Sequence, residues 1–355
     1  MATTDAAAAD ADLARVLEVL AFQAQACAPV SPLYARVLEV AADDARAGGA
    51  CAEVLIGRSE EPFGSVLALR FLAAVHRVVL DGRSPELAAF YPSAGGTERG
   101  DPAHAFRTTI QRHCAEVARR TGDRLQTNEV GRSAVLVGGY AEVARRTRLP
   151  LRVLEVGASG GLNLRWDHFA YVTDRGVSGD PDSPVRFSGV WDGPPPELPP
   201  TFDVAERAGC DPNPIDATTP DGRLTLMSFV WADQCDRFAL LDGAIEVARR
   251  VPAVVDRSGA ADWVASHLRS ATPDVATVVV HSIVFQYLST DERARLSATI
   301  EAAGRQATGR APLAWLRMEP DGERAELRLT TWPDGEERVL ATAGYHGQPI
   351  WWAGS

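Results

Sequence analysis

The sequence predicts an α/β protein with an N-terminal helical domain over residues 1–120 and a mostly parallel sheet domain over residues 121–355. Two observations support this prediction. Up to about residue 147 the chain is rich in Ala, Leu, Arg and Glu, with apolar residues at helical spacing. Beyond residue 151, short apolar runs alternate with amphipathic segments, which is typical of a sheet whose strands are connected by helices.

The helical part contains several segments with a clear beginning or end. Ser31 and Pro32 form a plausible N-cap and first turn, and Asp81-Gly82 ends a strongly apolar segment. Helices are predicted over residues 10–27, 31–47, 63–82, 102–123 and 131–150.

The pentapeptide Arg-Val-Leu-Glu-Val occurs three times, at 15–19, 36–40 and 152–156. The first two copies lie among Ala, Asp and Arg at helical period, so we expect helices there. The third copy lies between Leu149-Pro150-Leu151 and a run of glycines, which favours a short buried strand. Nothing else recurs with the pentapeptide, so we do not expect an internal repeat.

The second part of the chain alternates between strand and helix signals. Strands are predicted at 151–156, 201–211, 251–256 and 275–285, with antiparallel strands at 312–320, 325–335 and 338–352. Helices are predicted at 236–250, 260–270 and 289–304. Segment 224–234 fits a strand or a helix equally well. Residues 165–200, rich in Gly, Pro and Asp, are expected to form a loop and hairpin off the sheet.

Composition limits the classes of function. The 355 residues are 46% apolar and 23% charged, and the net charge of -11 argues against nucleic-acid binding by phosphate neutralisation. The five cysteines include no C-x-x-C and suit a reduced, cytoplasmic protein. An acidic N-terminus and the lack of a long apolar run predict neither a signal peptide nor a membrane partner. No group of residues has metal-ligand spacing, so no metal is expected.

The stretch "RVLEVGASGGLNLRWD", Arg152 to Asp167, fits three motifs loosely. As G-x-S-x-G it resembles a hydrolase elbow with Ser159 as nucleophile, followed by Asp233 or Asp256 and then His281. Against a hydrolase, about 150 mostly helical residues precede the motif, and no HGGG-like oxyanion segment is present. A dinucleotide fingerprint fails because Ala158-Ser159, not Ala-Gly, follows Gly157.

The third interpretation is an S-adenosylmethionine loop, E-x-G-x-S-x-G. Glu155 ends the strand, and Gly157, Ser159 and Gly161 supply a small-residue turn that lets backbone N–H groups approach a cofactor. Ala158 and Asn163 complete the predicted cofactor-binding set, with a helix cap as the competing interpretation for Asn163.

A second acid should hold the ribose hydroxyls, and Asp211 is the first candidate, with Asp216 second. These residues predict a Rossmann-like, class I methyltransferase-like sheet that binds S-adenosylmethionine. Two alternatives remain open. The glycines could only form a tight turn in the sheet, or the protein could bind an adenosyl group or a nucleotide without catalysis.

Two residues are candidates for the proton acceptor. His281 follows "TVVV" at the carboxyl end of a central strand, where open sheets bind ligands, and Asp233 is the alternative. Tyr287 belongs to the loop that follows His281 and is expected to line the substrate pocket. For His281, a purely structural hydrogen bond at the rim of the sheet is the competing interpretation.

The remaining candidates are expected to line a substrate pocket. Trp231 and Gln234 belong to "FVWADQ", where Trp231 could stack on a substrate or pack in the core. Asn128, Glu129 and Arg132 in "QTNEVGR" could close over the cofactor, or Glu129 and Arg132 could pair on a solvated face.

At these residues the chain resembles the DUF2332 family of bacterial proteins nearly end to end. The blocks that carry the resemblance include "SPLYARVLE", "LAAFYPSAGG", "QTNEVGRSA", "GDPDSPVRFSG", "CDPNPID" and "VVVHSIVFQYLSTDERAR". The resemblance implies a sheet like that of class I methyltransferases and no assigned reaction. The family usually has Gly-Asp-Ala where this chain has Ala260, so Asp256 or Asp262 would have to supply the adenine-binding acid. The resulting hypothesis is methyl transfer from S-adenosylmethionine to a small molecule.

Overall fold

The structure is a computed structural model that describes residues 2–58 and 66–353, with side chains from residue 10. The chain divides into two compact units. Unit 1 comprises residues 1–127 and 220–239, and unit 2 comprises residues 128–219 and 240–355. The predicted boundary at 120/121 differs from this division by seven residues, and the sequence did not indicate that 220–239 belong with the helices.

Unit 1 is helical and has its own apolar core. Its helices are α1 (Ala2–Cys27), α2 (Pro32–Arg46), α3 (Ala50–Leu55), α4 (Leu67–Leu80), α5 (Pro85–Ala88), α6 (Ala103–Thr121) and α8 (Pro220–Ser228). Ser31 caps α2 as predicted, because its hydroxyl accepts the Tyr34 N–H at 3.2 Å. Residues 63–65 of the third predicted helix lie outside the described residues.

Unit 2 is built on an eight-stranded sheet. Its strands are β1 (Leu151–Val156), β5 (Val204–Asp211), β6 (Val254–Arg257), β7 (Ala276–Ser282), β8 (Leu313–Asp321), β9 (Arg324–Trp332), β10 (Glu336–Ala343) and β11 (Ile350–Trp352). The spatial order is β6-β5-β1-β7-β8-β9-β10-β11. The first five strands in that order are parallel, and β9, β10 and β11 extend the sheet antiparallel. The predicted α/β class with a mostly parallel sheet is therefore confirmed.

Helices cover both faces of this sheet. They are α7 (Ser133–Thr147), α10 (Ala260–His267) and α11 (Thr290–Gly304). The helix α9 (Cys235–Arg250) has its first turn in unit 1 and continues in unit 2. On α7, a Cβ at Gly138 would lie 2.4 Å from Trp352 and one at Gly139 would lie 2.3 Å from Leu316, so these glycines let the helix approach one face closely. Trp315 points to the other face, where it packs with α10 and α11.

Cover on both faces explains why every residue of β1 is buried. It also explains the three copies of Arg-Val-Leu-Glu-Val. Copies 15–19 and 36–40 lie in α1 and α2, whereas copy 152–156 lies in β1, as the flanking residues predict.

Two segments differ from their predictions. The ambiguous segment 224–234 is helical to Ser228, within α8, and then irregular. Residues 165–200 hold more structure than a loop and hairpin. A 3-10 helix (Leu162–His168) leads into a separate three-stranded sheet of order β3-β2-β4. These strands are β2 (Ala170–Thr173), β3 (Gly176–Gly179) and β4 (Arg186–Ser188). Among the helices of residues 2–58 and 66–353, none has the length and apolar character to cross a membrane.

Candidate functional site

The order of the strands places a crevice beside β1. The chain passes from β1 to β5 on one side, and β7 later pairs on the other side. Ligands of open α/β sheets bind outside the carboxyl ends of the strands at such a reversal. We call the carboxyl ends of β1, β5 and β7, with the residues that follow them, the switch edge. It contains Glu155, the glycine loop (157–162), Asp211 and residues 281–287.

Glu155 at the switch edge has a buried carboxyl group whose hydrogen bonding is incomplete among the described residues. It is 5% exposed, and its Oε2 atom has no hydrogen-bond partner among the described residues. Burial raises its pKa from 4.5 to about 8, and repulsion from Asp211 adds to this, while Arg165 and Arg132 act in the opposite direction. The side chain is therefore mostly protonated at neutral pH. Ionising this buried carboxyl group is costly unless a cation lies beside it, which makes Glu155 a position for a cationic ligand group.

The glycine loop turns sharply, with φ of +69° at Gly157, +52° at Ser159 and +66° at Gly161. Its backbone donors are all used within the protein. Gly157 and Ala158 donate to the Cys210 carbonyl, and Gly161 donates to the Ala158 carbonyl. The N–H groups of Ser159, Gly160 and Leu162 donate to side chains, those of Asp211, Asn128 and Asn128 respectively. The expectation that these N–H groups point at a cofactor is therefore wrong for this loop. A ligand would meet its Cα atoms and carbonyls instead.

Asp211 ends β5 and shapes the loop. Its Oδ2 accepts the Ser159 N–H at 3.0 Å, and its Oδ1 accepts the Asn213 N–H at 2.8 Å. Each carboxylate oxygen has a second lone pair, so Asp211 can still accept a hydroxyl of a ligand. Asp216, the second candidate, is exposed and its Oδ1 caps its own turn through Thr218.

Two predicted residues serve as internal braces. The Asn128 Oδ1 accepts the Gly160 and Leu162 N–H groups at 3.1 and 3.0 Å. Asn163 donates from Nδ2 to the Glu129 carbonyl at 3.2 Å and accepts the Ser133 hydroxyl at 2.8 Å. Asn163 is thus neither a simple cap nor placed to offer its amide to a cofactor. The two asparagines fasten the segment before α7 to the glycine loop.

Glu129 and Arg132 do not lie on a solvated face, because Glu129 is buried and Arg132 is partly buried. The Arg132 guanidinium donates to the Ser282 carbonyl at 2.8 Å, at the end of β7, and to the Tyr345 carbonyl at 3.1 Å. Glu129 is 6% exposed, and its Oε2 is hydrogen-bonded to His346 Nδ1 at 2.8 Å. Arg132 therefore joins the switch edge to the turn that carries His346.

His346 is the residue that the sequence analysis missed. Its side chain is 52% exposed, and among the described residues no polar group contacts its Nε2. The one local signal is a histidine between two glycines of a strand-connecting turn, Gly344 to Gly347, and that signal is weak.

His281 cannot act as the predicted general base in this arrangement. It is 0% exposed and stacks on Phe285 with ring centroids 4.5 Å apart. Its Nε2 accepts the Trp315 indole N–H at 3.0 Å, so its Nδ1 carries the proton and donates to Glu319 at 2.6 Å. Both ring nitrogens are occupied, which also removes His281 as a base for Ser159. Tyr287, two residues after the stack, is 51% exposed.

Asp233, Trp231 and Gln234 lie in unit 1 and not in the sheet unit. The Ser31 hydroxyl donates to Asp233 at 2.7 Å. Trp231 packs against the core of unit 1, with its ring centroid 6.0 Å from that of Tyr34. Gln234 accepts a hydrogen bond from Arg237. The geometry therefore gives Asp233 a helix-connecting role in place of a proton acceptor at the strand ends.

The acids near Ala260 are also engaged. Ala260 is buried in the core of unit 2. Asp256 accepts the Trp263 indole N–H at 2.8 Å, and Asp262, which is largely exposed, pairs with Arg295. Of the two, Asp256 lies one residue before the end of β6, where it pairs with Cys210, the residue before Asp211 in β5.

The comparisons with known proteins place the chain in a family without assigning a reaction. The model of a family described as "Uncharacterized protein conserved in bacteria (DUF2332)" matches residues 18–352. No curated protein and no solved structure matches the chain. The match spans nearly all of both units, and the chain belongs to the DUF2332 family.

Proposed function

We propose that this protein is an S-adenosylmethionine-dependent methyltransferase that acts on a small molecule. The observation that carries the proposal is the buried Glu155 carboxyl group at the switch edge, whose Oε2 has no hydrogen-bond partner in the part of the chain that the structure describes. S-adenosylmethionine carries an ammonium group and a sulfonium centre, and either cation suits such a carboxylate.

The order of the strands also supports a Rossmann-like, class I methyltransferase-like sheet. Counted along the large sheet alone, the parallel strands have the order 3-2-1-4-5 of doubly wound sheets. Glu155 would hold the amino-acid part of the cofactor and Asp211 its ribose, while the glycine loop would allow close approach. The bound cofactor would supply an activated methyl group, and the protein would contribute binding and orientation.

Titration calorimetry with S-adenosylmethionine tests this proposal, because it measures both the heat of binding and the number of protons released. Glu155 has a pKa of about 8, so at pH 7 it must lose its proton to face a cation. We expect binding to release up to about 0.9 proton per ligand, measured in buffers of different ionisation enthalpy. Glu155→Gln should abolish this release and weaken binding by roughly tenfold to 150-fold.

Glu206→Gln is the matched control, because Glu206 is a half-exposed glutamate of β5 that pairs with Arg152 away from the carboxyl end. It should leave affinity and proton release unchanged. Absence of heat with both S-adenosylmethionine and S-adenosylhomocysteine, in protein shown to be folded, would rule out the proposal. Binding without methylation of any small-molecule acceptor would favour an adenosyl-binding sensor.

A further inference from the structure

We propose that His346 and Glu129 form a general-base dyad that removes a proton from an O–H or N–H group of a small-molecule acceptor. This inference rests on the proposed function for the methyl group that the acceptor receives. The base itself rests on the geometry of unit 2.

The contact with Glu129 determines which nitrogen of the His346 ring carries the proton. Glu129 Oε2 lies 2.8 Å from His346 Nδ1. The dyad requires Glu129 to be ionised, and an ionised carboxylate can only accept, so in the dyad Nδ1 donates. The neutral ring then has its lone pair on Nε2. The Glu129 Oε1 accepts the Gly131 N–H at 3.4 Å, and the carboxylate is buried, so its orientation is fixed by the protein.

The turn that carries His346 packs rigidly against the segment that carries Glu129. A Cβ at Gly131 would lie 2.3 Å from the His346 carbonyl, and one at Gly347 would lie 2.2 Å from the Gly131 carbonyl. The two backbones therefore pack directly against each other, and only glycine fits at either contact. The turn of His346 is held against the segment of Glu129, as a positioned base requires.

Side-chain contacts connect the dyad to the switch edge. Arg132 contacts both the Tyr345 carbonyl, next to His346, and the Ser282 carbonyl at the end of β7. Asn163 connects the Glu129 carbonyl to the residues after the glycine loop. Arg132 thus links the turn of His346 to the end of β7, and Asn163 links the backbone of Glu129 to the residues that follow the glycine loop. An exposed imidazole whose Nδ1–H is oriented by a buried carboxylate has the arrangement of a general base.

In the proposed reaction the acceptor is the nucleophile. Its oxygen or nitrogen forms a bond to the methyl carbon as the carbon–sulfur bond breaks, and the electron pair of that bond stays on sulfur. The proton of the acceptor goes to His346 Nε2, and Glu129 stabilises the resulting imidazolium through Nδ1–H. Glu129 acts through His346 and is a positioning residue.

Nitrogen-15 NMR of the histidine rings tests the dyad without any ligand. In the wild-type protein we expect His346 as the Nδ1–H tautomer, and in Glu129→Leu, which has no acceptor, we expect a gain of the Nε2–H tautomer. His168 provides the internal control, since it is 40% exposed and lies 3.5 Å from Asp167. Its spectrum should not change in Glu129→Leu. An unchanged His346 tautomer in Glu129→Leu overturns the positioning role.

Turnover tests the role of the base. We would incubate the protein with S-adenosylmethionine and a panel of phenols, hydroxy acids and primary amines, and measure S-adenosylhomocysteine. His346→Ala should bind S-adenosylmethionine as the wild type does, lose at least about 100-fold in kcat with little change in KM, and regain activity with added imidazole. His168→Ala should keep the wild-type rate.

The outcomes separate the two proposals. Wild-type kcat in His346→Ala overturns the dyad and leaves the methyltransferase proposal standing. A wild-type protein that binds S-adenosylmethionine but methylates no O–H or N–H acceptor also overturns the dyad. A wild-type protein that does not bind S-adenosylmethionine overturns the proposed function and the methyl-transfer step with it, whatever the NMR result.

Discussion

Two histidines of unit 2 each donate from Nδ1 to a glutamate, yet their surroundings give them different capacities. His281 is fully buried, and the Trp315 indole occupies its second nitrogen. His346 is half-exposed, and its second nitrogen meets no polar group of the described chain. The same pairing is therefore a structural brace in one place and an accessible base in the other. Accessibility of Nε2 distinguishes them, and the carboxylate partner does not.

Glu319 shows how completely the first pair is built into the sheet. Besides the His281 Nδ1–H, its carboxylate accepts the backbone N–H groups of Val284 and Phe285 at 3.0 and 3.3 Å. It thereby fixes the chain as it leaves β7. Glu129 also accepts a backbone N–H, that of Gly131, but its histidine remains open to solvent.

Replacing His281 by leucine should have the largest effect on stability. The change removes two hydrogen bonds and leaves the buried Trp315 N–H and part of the Glu319 carboxylate without partners. We expect a loss of about 3–5 kcal/mol in the free energy of unfolding, measured by urea denaturation. A loss below about 1 kcal/mol would contradict the assignment of His281 as a brace.

Glu155 differs from Glu319 and Glu129, because its buried carboxyl group is not paired with a histidine of the described chain. Its folded pKa of about 8 lies above the ordinary value of 4.5. The folded state therefore binds more protons than the unfolded state between these pH values, and stability falls as pH rises from about 4.5 to 8. The cost above pH 8 should be a few kcal/mol, up to about 5.

Urea unfolding of the wild type and Glu155→Gln at pH 5, 7 and 9 measures this cost. The free-energy difference between the two proteins should grow in favour of Glu155→Gln as pH rises. A difference that is constant across this range would show that Glu155 is ionised in the folded protein, which would also remove the reason for proton release on ligand binding.

These pairs show what the sequence could and could not predict. The strand before His281 was predictable from its apolar run, and so was the position of His281 at a carboxyl end. Its partners were not, since Trp315 and Glu319 lie 34 and 38 residues away and become neighbours only because β8 pairs with β7. The Glu129–His346 contact joins residues 217 apart, and no periodicity reports such a contact.

The same reasoning applies to the fold and the loop. Flanking residues were sufficient to predict that Arg-Val-Leu-Glu-Val is a strand only at 152–156. The turn at Gly157 and Gly161 was likewise readable, because glycine tolerates positive φ. Which groups accept the N–H groups of the loop was not readable, because Asn128 and Asp211 approach it from distant segments.

Trp315→Phe should have a smaller effect than His281→Leu. It keeps an aromatic ring in the core but removes the N–H that His281 Nε2 accepts, leaving one buried lone pair unsatisfied. We expect a loss of about 1–2 kcal/mol in the free energy of unfolding. Phe285 still stacks on His281 in this variant, so we expect no gain of reactivity at Nε2. Rapid modification of His281 by diethyl pyrocarbonate in Trp315→Phe would show that the indole alone closes the site.

His346→Leu should have the smallest effect on stability, within about 1 kcal/mol of the wild type by urea denaturation, because water can replace a half-exposed imidazole at the surface. Glu129 keeps its contact with the Gly131 N–H in this variant. A loss comparable to that of His281→Leu would mean that both histidines are braces and that the exposed Nε2 is incidental. If the loss is small and methyl transfer falls at least about 100-fold, stability and function are carried by different histidines, and access to Nε2 is the property that separates them.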